Sequence, residues 1–459
     1  MSRTDPVSRV WRLARGSLWP LPLLAVTAAV ALGLLLPLLD ERLGTANEGS
    51  PLAFVFGGGP AAARDLLAAI AGSLISVTGV IFSLTVVALQ LGSSQYSPRL
   101  LQTFATDPVV QATLAQLTGT FVYALTVLRT VRTPESTVSG EPAFIPRLSI
   151  TLAYLFCLGS VAALVVFLGH LARSLRVETM LRDVHDEAAQ ALRDRREEGT
   201  DVADVLPDGP GTPIEAARSG FVVDVDEERL VSAARDADVV VALSPRMGDS
   251  VVAGTPLAHA WARGGGPAGE RDAVTEAVVG AVRLSAERTP DRDAAYSLRK
   301  IVDIAGRALS PGINDPTTAV HALSHVSAIL GDLLPRRTTV HTWRDDDGAL
   351  RLVLPRWTAE ELLRLGLEEP LEYASGQPAV LRRIAGLLHE LAWRVRGQDM
   401  DETLRALVAR TARQALESTA IEERETTAWR SAVDEALAGR WSPAAGLGPR
   451  TPAAEAAQG

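Results

Sequence analysis

Cysteine and lysine are nearly missing from these 459 residues: Cys157 is the one thiol and Lys300 the one lysine. A single cysteine excludes an intramolecular disulfide and any zinc site built on cysteine ligands. Because Cys157 lies inside an apolar run, its thiol is expected to pack like a small hydrophobic group. Arginine supplies every other cation, and with so much alanine this reads as the codon preference of a GC-rich genome. Phosphate-binding loops are missing too: Gly57-Gly58-Gly59 and Gly264-Gly265-Gly266 are not followed by Lys and Ser/Thr. His389-Glu390 lacks the second histidine that a zincin helix requires. No Ser/His/Asp or paired-carboxylate arrangement stands out, so nothing in the chain supports an enzyme and no cofactor is called for.

What is present is segregated. Mean hydropathy is +0.15 although 22% of residues are charged, which requires apolar and charged residues to occupy different stretches. Residues 1–172 hold ten arginines against eight acids, and the remainder holds 35 basic against 46 acidic residues. An acidic region repels phosphate backbones, so nucleic acid is not an expected partner.

A helix crosses the hydrocarbon layer with about 20 mostly apolar residues. Four runs meet that demand: residues 21–39, with Pro20, Pro22 and Pro37 at the ends; 66–98; 109–128; and 148–172, where only His170 titrates. Spans are placed at 19–39, 66–92, 109–128 and 148–172. Arg9, Arg12 and Arg15 precede the first run as they would a secretory signal, but its length and the lack of a small-residue cleavage site favour an anchor. Arg3, Arg9, Arg12 and Arg15 place the N-terminus in the cytoplasm, the acidic segment 40–65 outside, and Arg173, Arg176 and Arg182 inside again. Both termini are then cytoplasmic, and the chain is a multi-pass protein of the cell (inner) membrane. Arg129, Arg132 and Arg147 cut the other way, since four crossings put them outside.

The second run carries a polar stripe. Ser76, Ser83, Gln90 and Ser97 recur every seven residues, Ser73 and Ser94 lie within about a turn of it, and Gly72 and Gly79 flank it. Hydrocarbon cannot satisfy polar groups, so such a face seeks another helix or water. Two readings stay open: close helix packing through small residues, or the lining of a pore in an oligomer.

Beyond the fourth run, Val177, Leu181, Val184, Ala188 and Ala191 form a coiled-coil-like seam, which would serve either packing on the protein's own domain or self-association. A Gly/Pro/Asp-rich linker covers 199–213, and a β module follows. Its string RMGDSVVAGTPLA (246–258) is similar to the turn-and-strand signature of small barrel-sandwich domains, with Gly248 and Gly254 suited to the bends. No lysine is there to carry a prosthetic group, so a carrier role is out. Apolar spacing at Leu298, Ile301, Val302, Ala305 and Leu309 predicts a helix ending in SPGINDP, where Asp315 is a natural N-cap and Pro316 suits the first helical position. Residues 338–343 and 349–354 pair as a hairpin across Asp345-Asp346-Asp347-Gly348. Helices are predicted over Leu381 to Val395 and over 401–422, and the tail from Ser442 reads as disordered.

The strings SLISVTGVIFSLTVVALQLGSSQYSPRLL (73–101), LTGTFVYALTVLRTVR (117–132) and LRKIVDIAGRALSPGINDPTTA (298–319) resemble the bacterial membrane proteins grouped as domain of unknown function 2254. That resemblance implies an integral membrane protein with no established activity.

Two clusters are candidates for function: the stripe Ser73, Ser76, Ser83, Gln90, Ser94 and Ser97, and the charged and amide groups Arg299, Lys300, Asp303, Arg307, Asn314 and Asp315 around SPGINDP. The latter suit a ligand pocket or an internal salt-bridge and capping network. His321 and His325, four apart, would share a helix face and with Asp303 or Asp315 could approach a metal, although ordinary packing explains them too. The expected fold is membrane α-helical with four transmembrane helices (1–172), a juxtamembrane helix (173–198), a barrel-sandwich-like β module (214–262), a mostly helical α+β cytoplasmic domain (270–440) and a tail (441–459). The expected function is an oligomeric channel- or transporter-like protein with a cytoplasmic sensing or gating domain, its partners the lipid bilayer and further copies of itself, its ion or small-molecule ligand unidentified. The alternative is a membrane-anchored scaffold or sensor working through protein partners.

Overall fold

Among the described residues, four helices build the first of two units, Met1–Arg176 and Val177–Gly459. The computed structural model describes residues 19–42, 57–95, 107–132, 144–174, 176–193, 206–269, 272–289, 293–335 and 340–441. The arginines before residue 19, Ser97 and the tail from 442 lie outside these. The helices are α1 (Pro20–Arg42), α2 (Pro60–Gln95), α3 (Pro108–Leu128) and α4 (Arg147–Ser174). Prolines at the starts of α1, α2 and α3 occupy positions where no intrahelical N–H bond is lost. Asp107 caps α3 by accepting from the Val109 N–H at 2.8 Å, and Asp40 of α1 caps α4 across the bundle, accepting from Leu148 N and Ser149 N at 3.2 and 3.1 Å.

Three of the four are long and apolar enough to cross a membrane: Pro20–Arg42, Pro60–Gly92 and Arg147–Ser174. The expected third span is a helix of another kind. Gln111, Gln116 and four threonines dilute its hydropathy, and ten of its 21 residues are buried, against three of 23 in α1. It is therefore the interior helix, packed against α1, α2 and α4. Its polar groups are used inside the bundle: Gln116 Nε2 donates to Phe156 O at 3.1 Å, Tyr123 Oη to Ser149 O at 3.1 Å, and the Thr120 and Ser160 hydroxyls meet at 3.1 Å. Asp107 at the start of α3 meets His170 near the end of α4, and Tyr123 in the last turns of α3 meets Ser149 at the start of α4, so α3 and α4 run antiparallel. With α1 it runs parallel, since Ala25 faces Gly119 and Gly33 faces Thr126.

In the second unit, α5 (Val177–Arg193) buries Leu181, Val184, Ala188 and Ala191 against two later helices, α8 (Ala294–Ala308) and α9 (Pro316–Leu333). Its seam is thus filled by its own unit. Two sheets come between in sequence. One has the order β1-β5-β3-β8-β7 and the other β4-β2-β6, from β1 (Thr212–Glu215), β2 (Gly220–Val225), β3 (Val239–Leu243), β4 (Ser250–Val251), β5 (Pro256–Ala262), β6 (Val282–Ser285), β7 (Val340–Arg344) and β8 (Leu350–Pro355). Gly248 and Gly254 do make bends at φ +85° and +81°. No closed barrel forms, because β3 pairs in parallel with β8 of the later hairpin and the sheet extends instead of curling shut.

Helices α6 (Glu227–Asp236) and α7 (Asp272–Ala281) lie among the strands in sequence. Helices α10 (Ala359–Tyr373), α11 (Pro378–Val395), α12 (Asp401–Ala415) and α13 (Glu423–Leu437) complete the unit. The helix expected over 401–422 stops at Ala415. Ile421 is buried in the connection, while Arg382 of α11 donates to Ala420 O at 3.0 Å and to Glu425 at 2.6 Å, so tertiary anchors override the local propensity.

Candidate functional site

The stripe on α2 points away from its own bundle. Leu67, Ile70, Leu74, Ile81 and Ala88 occupy the buried face, while Ser73, Ser76, Ser83 and Gln90 are exposed. A Cβ on Gly72 or Gly79 would meet open space. Ser73 and Ser76 donate back to the Ile70 and Gly72 carbonyls at 3.0 and 3.1 Å. Packing among the described helices therefore does not use this face. The Ser94 side chain and Ser97 fall outside the described residues.

The α8–α9 connection folds as its sequence dictates. Leu309 ends α8, and Asp315 caps α9, accepting from Thr318 N at 3.1 Å and Thr318 Oγ1 at 2.6 Å. The six residues expected to cluster do not converge on one cavity. Arg299 reaches Asp303 at 2.8 Å and Glu369 at 2.9 Å. Lys300, 2% exposed, donates to both oxygens of Glu187 at 2.7 and 3.1 Å. Asn314, held at φ +50°, accepts from Gln377 at 2.7 Å. Arg307 is exposed. The arrangement is a distributed set of ion pairs and caps tying α8 to α5, α10 and the start of α11.

Thr318, by its hydroxyl and then its backbone N–H, holds the Asp315 carboxyl below the usual carboxylate range, and Arg351 does the same for Asp345. A depressed folded value adds stability above the unfolded value near pH ~4, and that contribution disappears as pH falls through the folded value. Asp293, pushed upward by burial despite its bonds to Arg288, acts in the opposite sense. The melting temperature of the full chain in micelles should fall between roughly pH 5 and 3, and Asp315→Asn should shrink that fall. An unchanged fall in Asp315→Asn would remove the cap from the account.

His321 and His325 share the α9 face, but the ring nearest His325 is His185 of α5, edge-on with centroids 5.3 Å apart. Burial and then His185 hold His325 below the usual histidine range. Among the described residues no group of three or more His, Cys, Asp or Glu side chains is arranged for a metal ion.

Two features escaped the sequence reading. Arg351, 4% exposed, ties Asp238 at the start of β3 to Asp345 of the β7–β8 turn, at 2.9 and 2.7 Å. The second is a cavity of about 450 Å³ bounded by α6, the loop before β4, the start of α8 and the β7–β8 hairpin with the segment after it. Trp343, Trp357 and His341 furnish its aromatic walls. The Arg246 guanidinium lies 4.2 Å over the Trp357 ring, fixed by Glu361 at 2.7 Å and Asp249 at 3.2 Å. Burial pushes the Glu361 carboxyl up, but bonds from Thr358 and Arg246 outweigh it and leave it low. A capping-box string, Thr358 to Glu361, was the available signal for the adjoining α10.

A family model described as "Predicted membrane protein (DUF2254)" matches residues 15–390. An uncharacterized protein of Mycobacterium tuberculosis is 33% identical over 384 residues, covering 82% of this chain and 72% of its own length. One of Mycobacterium bovis matches to the same extent. No solved structure matches.

Proposed function

Since the chain belongs to the membrane-protein family designated domain of unknown function 2254, we propose that it is an oligomeric, channel- or transporter-like protein of the bacterial inner membrane. Its second unit is the cytoplasmic part that senses or gates. One observation carries this reading: Ser73, Ser76, Ser83 and Gln90 are exposed on the outer side of α2, where a lone bundle would present them to hydrocarbon. Further copies of the chain around a wet axis satisfy them.

In this reading α3 crosses the bilayer as well, shielded from lipid by its three neighbours, so its glutamines and threonines cost little. Both termini then lie on the cytoplasmic side. Alternation agrees with the caps: the end of α1 meets the start of α4 through Asp40 and Ser149, and the start of α3 meets the end of α4 through Asp107 and His170.

Purified protein in planar bilayers tests the proposal. Conductance is expected, reduced about tenfold or more by Ser83→Leu with Gln90→Leu, the size of change that a barrier of ~1.4 kcal/mol produces. A silent wild type, or a double variant that conducts like wild type, would overturn it and leave the membrane-anchored scaffold as the better account.

A further inference from the structure

We propose that the cavity between the sheet-forming and helical parts of the second unit binds a planar heteroaromatic ligand of mononucleotide size that carries one anionic group. Its volume of about 450 Å³ lies in the range of small-molecule sites. Flat walls select a flat ligand. The His341 and Trp343 rings stand nearly perpendicular at 3.9 Å between centroids, and the Trp357 indole is braced by the Arg246 guanidinium stacked on it. Arg246 is committed to Glu361 and Asp249, so it fixes the wall and leaves the ligand to other groups.

One donor asks for an acceptor. The Trp357 Nε1–H is buried without a hydrogen-bond partner, a state that protein interiors avoid. A ring nitrogen or carbonyl on the ligand would satisfy it. Charge sets the remainder of the specificity. Arg235 on α6 meets Asp236 only at 3.7 Å, beyond hydrogen-bond reach, and is placed to take an anionic group. Glu227 and Glu228 open the same helix and also line the cavity. They repel a di- or triphosphate and suit the hydroxyls of a sugar, which leaves a single anionic group as the best match.

This site gives a ligand class to the sensing role proposed above. It rests on that reading for its purpose alone, because occupancy can be read without any membrane current. Isothermal titration of the full chain in micelles, with adenosine monophosphate and indole-3-acetate as separate probes, tests it. At least one probe should bind saturably below about 1 mM. Trp357→Phe, which keeps an aromatic face and deletes the donor, should weaken binding about tenfold, and Met247→Trp, which fills the cavity from its loop, should abolish it. Ser83→Leu on α2 should bind as wild type does. Heat from neither probe up to about 5 mM, or equal binding by wild type and Met247→Trp, would overturn the proposal. Saturable binding in a chain that conducts no current would keep the site and sink only the channel reading.

Discussion

Glu187→Leu should destabilise the second unit by about 3 kcal/mol, the low end for breaking a buried ion pair. Lys300 is 2% exposed, and its ammonium has both oxygens of Glu187 at 2.7 and 3.1 Å and the Tyr296 ring at 5.0 Å. Taking the carboxylate away leaves a cation in a place water barely reaches. Glu187 itself keeps 24% of its side chain exposed, which admits some solvent and holds the cost at the lower end. Lys300→Met in the same chain removes the stranded charge and should recover most of the loss, since apolar replacement of a whole buried pair is often neutral. Chemical denaturation of the full chain in micelles, followed by near-ultraviolet circular dichroism, reads both variants. If Glu187→Leu melts with wild type, or if the double variant is no better than the single, the pair is not what holds α5 to α8.

Gly33→Leu should be the most damaging single change in the membrane unit. A Cβ at position 33 would sit 2.7 Å from Thr126 Cβ, the root of a side chain, which cannot swing aside. The helices must part, and the parallel contact of α1 with α3 is also close at Gly119, where a Cβ would lie 3.4 Å from Ala25 Cβ. Without a hydrophobic drive between helices in lipid, such close backbone approach supplies the association. Overpacking of this kind costs about 1–3 kcal/mol, and a leucine branch adds to the Cβ clash. Thermal unfolding in micelles should show a clear loss for Gly33→Leu and almost none for Gly79→Leu, whose Cβ meets open space within the chain. Equal losses at the two positions would contradict the packing described.

Signals written within a few residues were legible. Asp315-Pro316 announced the start of α9, Gly248 and Gly254 the bends, and Leu298, Ile301, Val302 and Ala305 the buried face of α8. Relations between distant segments were not. Nothing around residue 241 says that β3 will take Leu352 and Val353 as parallel neighbours, and that pairing is why no barrel closes. The interior place of α3 was half visible: its glutamines and threonines hinted at protection from lipid, but hydropathy alone does not say which helix the others surround. Of the candidate residues, the stripe on α2 showed its periodicity and not its direction. The groups around SPGINDP are partnered along separate elements, because Glu187, Glu369 and Gln377 come from helices that no local pattern links to them. The cavity has no sequence motif, since its walls are assembled from seven separated stretches between Ala191 and Leu362.

Cys157 gives the protein a simple background for the decisive measurement, because Cys157→Ser removes its only thiol. Single cysteines at positions 76, 83 and 90, and at Ile75 and Phe82, which are exposed about a quarter turn round α2 from the stripe, can then be treated in membranes with a charged thiosulfonate that reacts with ionised thiols in water. Modification at 76, 83 and 90 with protection at 75 and 82 is the pattern that a hydrated axis requires. Protection at all five would place the stripe in lipid or in a dry interface, and the wet axis would have to be given up.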